Sequence, residues 1–167
     1  MPETLFKIGI LGATGFIGTP YRAEIRDCHD AQIVALCARR RDLLELAAQE
    51  DGASLITEDW REVVTHPEVN MVIVATPDAL HHEAVMACAK QGKHMLCEKP
   101  VGMNAAEAEE MWHAFRDHEP RLGHFVPFWT RYVEVFAKAK EIVASGRLGE
   151  IRQTVFRWHN PARPGWR

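Results

Sequence analysis

The stretch that most constrains the fold is residues 7–19, which read KIGILGATGFIGT. An apolar run is followed by Gly12, Gly15 and Gly18, and apolar residues then recur at helical spacing. A buried strand, a glycine-rich turn and a helix N-terminus in this order form a phosphate site, because backbone N–H groups and the helix dipole both favour an anion. The pattern is the dinucleotide fingerprint G-x-G-x-x-G with one extra residue between the first two glycines.

Glycine also serves in any strand-to-helix turn that needs a positive φ, so the glycines alone do not establish a phosphate site. The strand before them and the helix after them are the context that the fingerprint requires, and they favour the phosphate interpretation. A nucleoside-triphosphate P-loop is disfavoured, since Thr19 and Pro20 stand where Lys and Ser or Thr would be needed. The loop residues expected to lie against a cofactor are Gly12, Ala13, Thr14, Gly15, Phe16, Ile17 and Gly18.

Strand and helix patterns alternate along residues 1–126, which predicts a doubly wound parallel α/β sheet of the Rossmann type. Ligands on such sheets lie beyond the carboxyl ends of the strands. That rule brings four segments to one edge of the sheet. They are the glycine loop, Arg39, residues 76–78 and residues 98–100. The predicted strands are residues 6–11, 32–38, 55–56, 71–75, 93–98 and 122–126. The predicted helix limits are a stop at Gly52, caps at Asp59 and Asn104, and a start at Pro77 and Asp78.

The end of the second predicted strand carries arginines instead of a carboxylate. A Rossmann fold usually places an Asp or Glu there, about 20 residues beyond the last glycine, to bind the ribose hydroxyls. Here the residues are Arg39, Arg40 and Arg41, and arginine would pair with a 2′-phosphate. The sequence therefore predicts NADP, held by Arg39 with Arg40, and NAD remains possible. The alternative is that these arginines open the next helix on its solvated side, where the dipole disfavours cations.

Lys99 is the most informative residue after the glycines. It follows a predicted strand, stands beside Glu98 and precedes Pro100, so its ammonium group would overlook the cofactor crevice. There it would hydrogen-bond a substrate hydroxyl and help to move its proton as hydride leaves the same carbon. By position alone, an ordinary Glu-Lys pair in a strand-to-helix turn is slightly favoured over this role.

Three segments together resemble the glucose-fructose oxidoreductase, inositol dehydrogenase and MocA family, written Gfo/Idh/MocA. They read GILGATGFIG, VIVATPDALHHEAVMAC and GKHMLCEKPVGMNAAEAEEM, and the G-K-H-x-x-x-E-K-P stretch within them is specific to that family. The resemblance implies an N-terminal Rossmann domain that binds NAD or NADP, followed by an α/β domain with an open, largely antiparallel sheet. Members of the family typically oxidise or reduce a sugar, cyclitol or related polyol at one carbon.

By motif match, Lys99 corresponds to the catalytic lysine of the family, and residues 76–81 match its T-P-N-x-x-H segment near the nicotinamide half of the cofactor. Asp78 replaces the usual Asn of that segment, and its charge makes a contact with the cofactor amide less certain. The further cofactor contacts that the resemblance implies are Thr76, Pro77, Asp78, His81, Glu98, Lys99 and Pro100.

Residues 127–167 resemble the entry into the second domain of the family, so we expect a Rossmann domain over 1–126 and the beginning of a truncated α+β domain over 127–167. A helix should end at Gly146, and a strand should cover residues 150–158. The resemblance places the Asp-x-x-x-His of the family beyond Arg167. A lone strand cannot cover its apolar faces or its edges, so we expect a homo-oligomer, a dimer or a segment exchange, through residues 127–167.

Composition narrows the function further. The 167 residues are 47% hydrophobic and 26% charged with a net charge of −3, which gives no reason to expect a nucleic-acid or membrane partner. No run approaches the roughly 18 apolar residues of a membrane span. The four cysteines are widely separated, and no His, Asp and Glu set has ligand spacing, so we expect buried thiols, no metal site and a cytoplasmic protein.

The predicted function is an oxidoreductase that transfers hydride between nicotinamide and a carbinol carbon of a sugar, cyclitol or polyol, with the turnover of this chain left open. The alternative is a non-catalytic NADP-binding regulatory or interaction module, favoured by the missing histidine and opposed by Lys99. A third interpretation is another Rossmann reductase with a G-A-x-G-x-x-G loop, such as dihydrodipicolinate reductase, and the CEKP stretch argues against it.

Overall fold

The computed structural model describes residues 5–118, 120–157 and 159. In this part of the chain six strands form one sheet, and all of its neighbouring pairs are parallel. The strands are β1 (Phe6–Leu11), β2 (Ala31–Cys37), β3 (Leu55–Thr57), β4 (Met71–Val74), β5 (His94–Cys97) and β6 (His124–Phe125). Their order in the sheet is β3-β2-β1-β4-β5-β6, which confirms the predicted doubly wound sheet.

Helices connect the strands, as parallel pairing requires. The α-helices are α1 (Gly18–Arg26), α2 (Arg41–Asp51), α3 (Trp60–Thr65), α4 (His81–Lys90), α5 (Ala105–Arg116) and α6 (Glu134–Ala144), with 3₁₀ turns at Asp78–Leu80 and Trp129–Tyr132. After β1 the chain builds outward through β2 and β3, and it then crosses to the other side of β1 to form β4. Ile10 pairs with Leu36 of β2 on one side and with Ile73 of β4 on the other. The order reverses between β1 and β4, where a doubly wound sheet opens a crevice for a ligand.

The sheet is buried on both faces, which explains the near-continuous apolar sequence of β1, β2 and β4. Ile8 and Ile10 pack on one face with Leu44 of α2. Leu11 packs on the other face in the cluster that also contains Val63 of α3. Gly9 lies between these residues in β1, and a side chain there would collide with Val63. The strand therefore needs glycine at the point where α3 packs closest to it.

The predicted helix ends are largely confirmed. The Asp59 side chain accepts a hydrogen bond from the Arg61 N–H and caps α3, and α2 ends at Gly52, whose φ is +69°. The helix expected to begin at Pro77 and Asp78 instead starts with a 3₁₀ turn, and regular α-helix begins at His81. None of the helices in the described residues is long and apolar enough to cross a membrane.

A buried ion pair, which sequence patterns did not predict, joins α1 to the end of α2. The Arg22 guanidinium donates to Asp51 and to Glu50, and the Arg22 and Asp51 side chains are almost entirely buried. Arg22 also donates to the Ala47 carbonyl at 3.3 Å. The glycine-loop helix is therefore locked to its neighbour by charge as well as by apolar packing. Among the cysteines, Cys28 is exposed, and Cys37, Cys88 and Cys97 are buried free thiols.

Two compact units divide between Pro127 and Phe128. The second unit contains the turn Trp129–Tyr132 and the helix α6, where the Phe136 ring lies 5.8 Å from the Phe156 ring. The strand expected over residues 150–158 is absent from 150–157, and Trp158 lies outside the described residues. A strand exists only as one member of a ladder, and within the second unit no described segment pairs with this one. The predicted domain boundary at residue 126 stays a prediction.

Candidate functional site

A groove of about 590 Å³ opens at the carboxyl edge of the sheet, where β1 and β4 end. It is built from the loops that follow β1, β2, β3 and β4. Several of its lining residues carry polar or charged side chains, and the rest are small or apolar. The lining residues are Gly12, Thr14, Gly15, Phe16, Ile17, Cys37, Ala38, Arg39, Arg40, Leu43, Glu58, Trp60, Ala75, Thr76, Pro77 and Leu80.

The glycine loop comes close to the neighbouring turn only because it lacks side chains. Gly12 has a φ of +81°, and a Cβ on it would collide with the Ala75 carbonyl at the end of β4. A Cβ on Gly18 would collide with the carbonyl of Gly12 itself. Other residues at these two positions would push the loop out of the groove, so glycine here serves the close approach of backbone to backbone.

The amides of this loop fall into two groups. Gly12 and Ala13 donate to the Cys37 carbonyl at 2.8 and 3.0 Å and so fix the loop to β2. At the start of α1, by contrast, no described side chain accepts from the N–H groups of Phe16, Ile17 or Gly18, and the N-cap residue Ile17 cannot do so. The first N–H groups of a helix have no partner within it. Together with the helix dipole, these groups form a site for an anion.

Thr76 supplies a second unsatisfied group at the same groove. Its hydroxyl Oγ1 is buried and has no hydrogen-bond partner among the described residues. A buried polar atom without a partner is costly, so such an atom in a groove lining is a contact point for a ligand. Three features together fit a dinucleotide that enters across the ends of β1 and β4. They are the loop of Gly12, Gly15 and Gly18, here called the glycine cradle, the N–H groups of residues 16–18, here called the open amides, and the Thr76 hydroxyl.

The arginines after β2 have different surroundings. Arg40 donates to both carboxylate oxygens of Asp42, at 3.2 and 2.6 Å, and this bond lowers the pKa of Asp42. Arg41 pairs with Glu45 at 3.1 Å. Arg39 lines the groove, is exposed and makes no ion pair within the described part of the chain. Arg39 and Arg40 were predicted to share one role, and the structure distinguishes them.

Glu58 is a groove residue that the sequence patterns did not reveal. It directly follows β3, which pairs with β2, and it brings an acidic residue to the groove near the end of β2, which has none. Burial, and after it the charges of Asp59, Glu62 and Glu58, raise the pKa of the Cys37 thiol to about 11. Glu58 could have been found from its position in the sequence. It directly follows β3, and neighbouring parallel strands such as β2 and β3 end at the same edge of the sheet.

Lys99 lies just after β5, exposed to solvent, and its peptide bond to Pro100 is cis. Lys99 and Pro100 do not belong to the groove lining given above; they lie at the next strand end along the sheet. Among the other predicted contacts, Asp78 is exposed in the 3₁₀ turn beside the groove, and Ala13 and Gly18 are buried beneath it. Nine of the predicted cofactor contacts line the groove directly: Gly12, Thr14, Gly15, Phe16, Ile17, Arg39, Arg40, Thr76 and Pro77.

His81 was expected to contact the cofactor, and the structure places its ring elsewhere. The side chain is fully buried, with Nδ1 2.8 Å from the Pro100 carbonyl oxygen and Nε2 3.0 Å from the Thr76 carbonyl oxygen. Both ring nitrogens are therefore engaged by the backbone. The imidazole links the turn after β4 to the turn that carries Lys99, so its geometry supports an anchoring role in place of the predicted direct contact.

Glu98 was also expected to contact the cofactor, and its carboxylate is likewise used inside the protein. Oε1 accepts a hydrogen bond from the Tyr21 hydroxyl at 2.7 Å, and Oε2 accepts one from the Lys99 N–H at 3.1 Å. Burial, and then the bond to this carboxylate, raise the pKa of Tyr21 well above its ordinary value. Tyr21 was not among the predicted site residues, because no sequence pattern pairs it with a residue so far along the chain.

Comparison with known proteins places this arrangement in a family. The model of an oxidoreductase family with an NAD-binding Rossmann fold matches residues 6–124. The chain belongs to the Gfo/Idh/MocA family. This confirms the resemblance based on the glycine loop and the E-K-P turn.

Relatives within the Gfo/Idh/MocA family include dehydrogenases named for myo-inositol and for levoglucosan. Myo-inositol 2-dehydrogenase of Thermotoga maritima is 32% identical over 158 residues, which cover 95% of this chain and 46% of that protein. Levoglucosan dehydrogenase of Pseudarthrobacter phenanthrenivorans is 36% identical over 110 residues, which cover 66% of this chain and 28% of that protein. This chain thus spans less than half the length of these relatives.

A solved Gfo/Idh/MocA structure shows the same fold. Scyllo-inositol dehydrogenase from Lactobacillus casei, crystallised with NAD(H) and scyllo-inositol, is 26% identical to this chain with a TM-score of 0.81. The match covers 87% of this chain and 43% of that chain. The fold is therefore shared, and the choice between NAD and NADP is a separate question.

Proposed function

We propose that this chain binds a nicotinamide dinucleotide in the groove at the ends of β1 and β4, and that it belongs to an oxidoreductase acting on a sugar, a cyclitol or a related polyol. One observation carries the proposal above the others. The start of α1 offers open amides in a glycine cradle that no described side chain fills, next to the unpartnered hydroxyl of Thr76. That combination fits the pyrophosphate of a dinucleotide.

In this proposal the residues divide the work between them. The amides of Phe16, Ile17 and Gly18 face the pyrophosphate, and Gly12 lets the backbone come close enough for contact. Lys99 hydrogen-bonds the substrate hydroxyl and assists the movement of its proton. A bound nicotinamide would supply the hydride acceptor or donor for the carbinol carbon. No metal ion is required for this chemistry.

Two groove residues act in opposite directions on the cofactor preference. Arg39 favours a 2′-phosphate because its guanidinium is exposed in the groove without an ion pair in the described structure. Glu58 disfavours that phosphate because it brings negative charge to the same groove. We therefore propose that the chain binds both cofactors and prefers NADPH through Arg39 alone, since Asp42 already engages Arg40.

The preference is tested by titrating NADPH and NADH and following their fluorescence. The Arg39→Ala variant should lose about tenfold in NADPH affinity and little in NADH affinity, in line with the loss of one charge-assisted hydrogen bond. The matched control is Arg41→Ala, which removes an arginine engaged by Glu45. A preference for NADH that Arg39→Ala leaves unchanged would contradict the proposed role of Arg39.

The reaction is tested by measuring NAD(P)-dependent oxidation of inositols and of anhydrosugars. The Lys99→Met variant should reduce turnover by roughly 10² to 10⁴, the usual contribution of a general acid or base, with little change in cofactor affinity. Lys90→Met, at an exposed helix end, serves as the control. Tight NADPH binding without turnover of any polyol would favour the alternative of a non-catalytic NADP-binding module.

We also propose that residues 127–167 mediate self-association. Several large apolar side chains in this segment are exposed, and such a surface is typical of a protein interface. They include Trp129, Val135, Val143, Val155 and Phe156. Light scattering coupled to size-exclusion chromatography should give a dimer or larger species, and a monomer across the micromolar range would contradict the proposal.

A further inference from the structure

A hydrogen-bonded bridge joins the glycine-loop helix to the turn that carries the proposed catalytic lysine. Tyr21 lies in the first turn of α1, and Glu98 follows β5 directly. The Tyr21 hydroxyl donates to Glu98 Oε1 at 2.7 Å, and the Lys99 N–H donates to Glu98 Oε2 at 3.1 Å. One carboxylate thus accepts a hydrogen bond from a side chain of α1 on one oxygen and from the backbone of Lys99 on the other.

We propose that Tyr21 is a positioning residue, which fixes the backbone of Lys99 relative to the glycine loop through Glu98. The inference rests on the proposed function, because it is in that function that Lys99 meets the substrate. The helix that presents the open amides to the dinucleotide is the same helix that carries the Tyr21 hydroxyl. The cofactor site and the lysine turn are therefore both connected to α1, so that cofactor binding at the start of α1 affects the position of Lys99.

Tyr21 is suited to hold a position and unsuited to move a proton. Burial, and then Glu98, raise the pKa of Tyr21 well above its ordinary value. The hydroxyl stays protonated at neutral pH and acts as the hydrogen-bond donor to the Glu98 carboxylate. Hydrogen bonds to an ionised acceptor are about twice as strong as neutral ones. A general acid or base would need a pKa near the working pH, which this phenol does not have.

The other side of the lysine turn has an anchor of its own. His81 Nδ1 lies 2.8 Å from the Pro100 carbonyl oxygen, so the residues on both sides of Lys99 are tied to helices. The His81 ring is fully buried, and replacing it would leave a cavity and remove its contacts with the two backbone carbonyls. Tyr21→Phe, by contrast, removes one oxygen atom and keeps the ring. The Tyr21 side of the turn is therefore the side to test by mutation.

The first test measures exchange of the Lys99 amide hydrogen by NMR, without cofactor. Tyr21→Phe should speed this exchange by about tenfold or more, as expected when the carboxylate that accepts the amide is no longer held in place. Tyr132→Phe is the matched control, because Tyr21 and Tyr132 are the only two tyrosines in the sequence and Tyr132 is exposed. Equal Lys99 exchange rates in the two variants would overturn the proposal.

The second test separates positioning of Lys99 from cofactor binding. Acylation of individual lysines, read by peptide mass spectrometry, gives the protection that NADPH confers on Lys99, with exposed Lys90 as the internal reference. In Tyr21→Phe the dissociation constant for NADPH should stay within about threefold of the control, because no amide of the phosphate site is altered. The protection of Lys99 should fall at least to half. Loss of affinity together with unchanged protection would overturn the proposal.

These two tests distinguish the bridge from the proposed function. If the wild-type chain does not bind NADPH or NADH, the proposed function fails, and the exchange of the Lys99 amide still decides whether the bridge exists. If Tyr21→Phe does not fold, the tyrosine can be titrated in a Tyr132→Phe background, where phenolate absorbance reports on Tyr21 alone. Glu98→Gln should then lower the pKa of Tyr21. An unchanged titration midpoint would overturn the proposal.

Discussion

The helices α1 and α5 both begin at the carboxyl edge of the same sheet, and their first turns are completed in opposite ways. In α5, Asn104 Oδ1 accepts the Glu107 N–H at 3.0 Å, and Glu107 Oε2 accepts the Met103 N–H at 2.9 Å. In α1 no described side chain takes this role, and glycines occupy the approach to the helix.

The difference separates a helix start that serves the fold from one that serves a ligand. A capped N-terminus such as that of α5 has already used its donors on its own side chains. An open N-terminus leaves its donors unsatisfied, which costs stability unless water or an anion completes them. Since both starts face the same edge, the open one is where we propose that a phosphate binds.

The largest expected effect comes from closing the glycine cradle of α1. Gly12→Ala should lower dinucleotide affinity by roughly a hundredfold or more, because the displaced loop loses charge-assisted bonds to the pyrophosphate. Gly52→Ala is the matched control: its φ is also positive, at +69°, but a Cβ there meets nothing within 4 Å. Fluorescence titration of both variants with NADPH separates collision in the groove from backbone strain. Equal losses in the two variants would contradict the account.

A second variant gives α1 the acidic side chain that a capped helix would have. Ile17→Asp places a carboxylate at the N-cap, where it repels a phosphate and should lower dinucleotide affinity by roughly tenfold to a hundredfold at low salt. Ile17→Asn has nearly the same shape without the charge and is the control. The loss should shrink as ionic strength rises. An aspartate variant that binds as tightly as the asparagine variant would mean that the pyrophosphate lies elsewhere.

The converse variant removes the cap of α5. Asn104→Ala should lower the free energy of unfolding by about 1 kcal/mol, the usual cost of losing a side-chain cap, and should leave NADPH affinity unchanged. Denaturant unfolding together with the cofactor titration checks both parts. A fall in affinity as large as that of Ile17→Asp would show that the two helix starts are not functionally separate.

The smallest expected effect is a pH dependence of the free energy of unfolding. It arises from the bond between Tyr21 of α1 and Glu98. Burial, and then the bond to Glu98, raise the pKa of Tyr21 above its ordinary value of about 10 in the folded protein. Above about pH 10 the unfolded chain therefore releases a proton that the folded protein retains, so the free energy of unfolding falls as the pH rises. Tyr21→Phe should show a shallower alkaline fall than Tyr132→Phe in denaturant unfolding. Identical slopes would contradict this assignment.

Local sequence predicted the parts of the fold that depend on local rules. Gly52 ends α2, Asp59 caps α3 and Asn104 caps α5, each as its residue type and spacing indicated. Apolar runs predicted the strands, and their parallel arrangement brought the glycine loop and Thr76 to one groove. The strand expected after residue 150 was wrong, since a strand depends on a partner that its own sequence does not contain.

The unpredicted features are pairs between distant residues. The Arg22–Asp51 pair and the Tyr21–Glu98 bond join elements that no local pattern connects, so they appear only when the fold is known. Arg39 and Arg40 looked equivalent in the sequence for another reason: Asp42 is close to both along the chain, and only the geometry shows that it pairs with Arg40. The roles of Lys99 and of the cofactor contacts stay predictions until binding is measured.

The most direct measurement of the central claim is an NMR titration of the backbone amides with NADPH and with NADH. The account predicts that the amides of Phe16, Ile17 and Gly18 shift with a common saturation curve, while those in the first turn of α5 stay unchanged. Saturable binding that leaves the start of α1 unperturbed, or no binding of either dinucleotide, would contradict it.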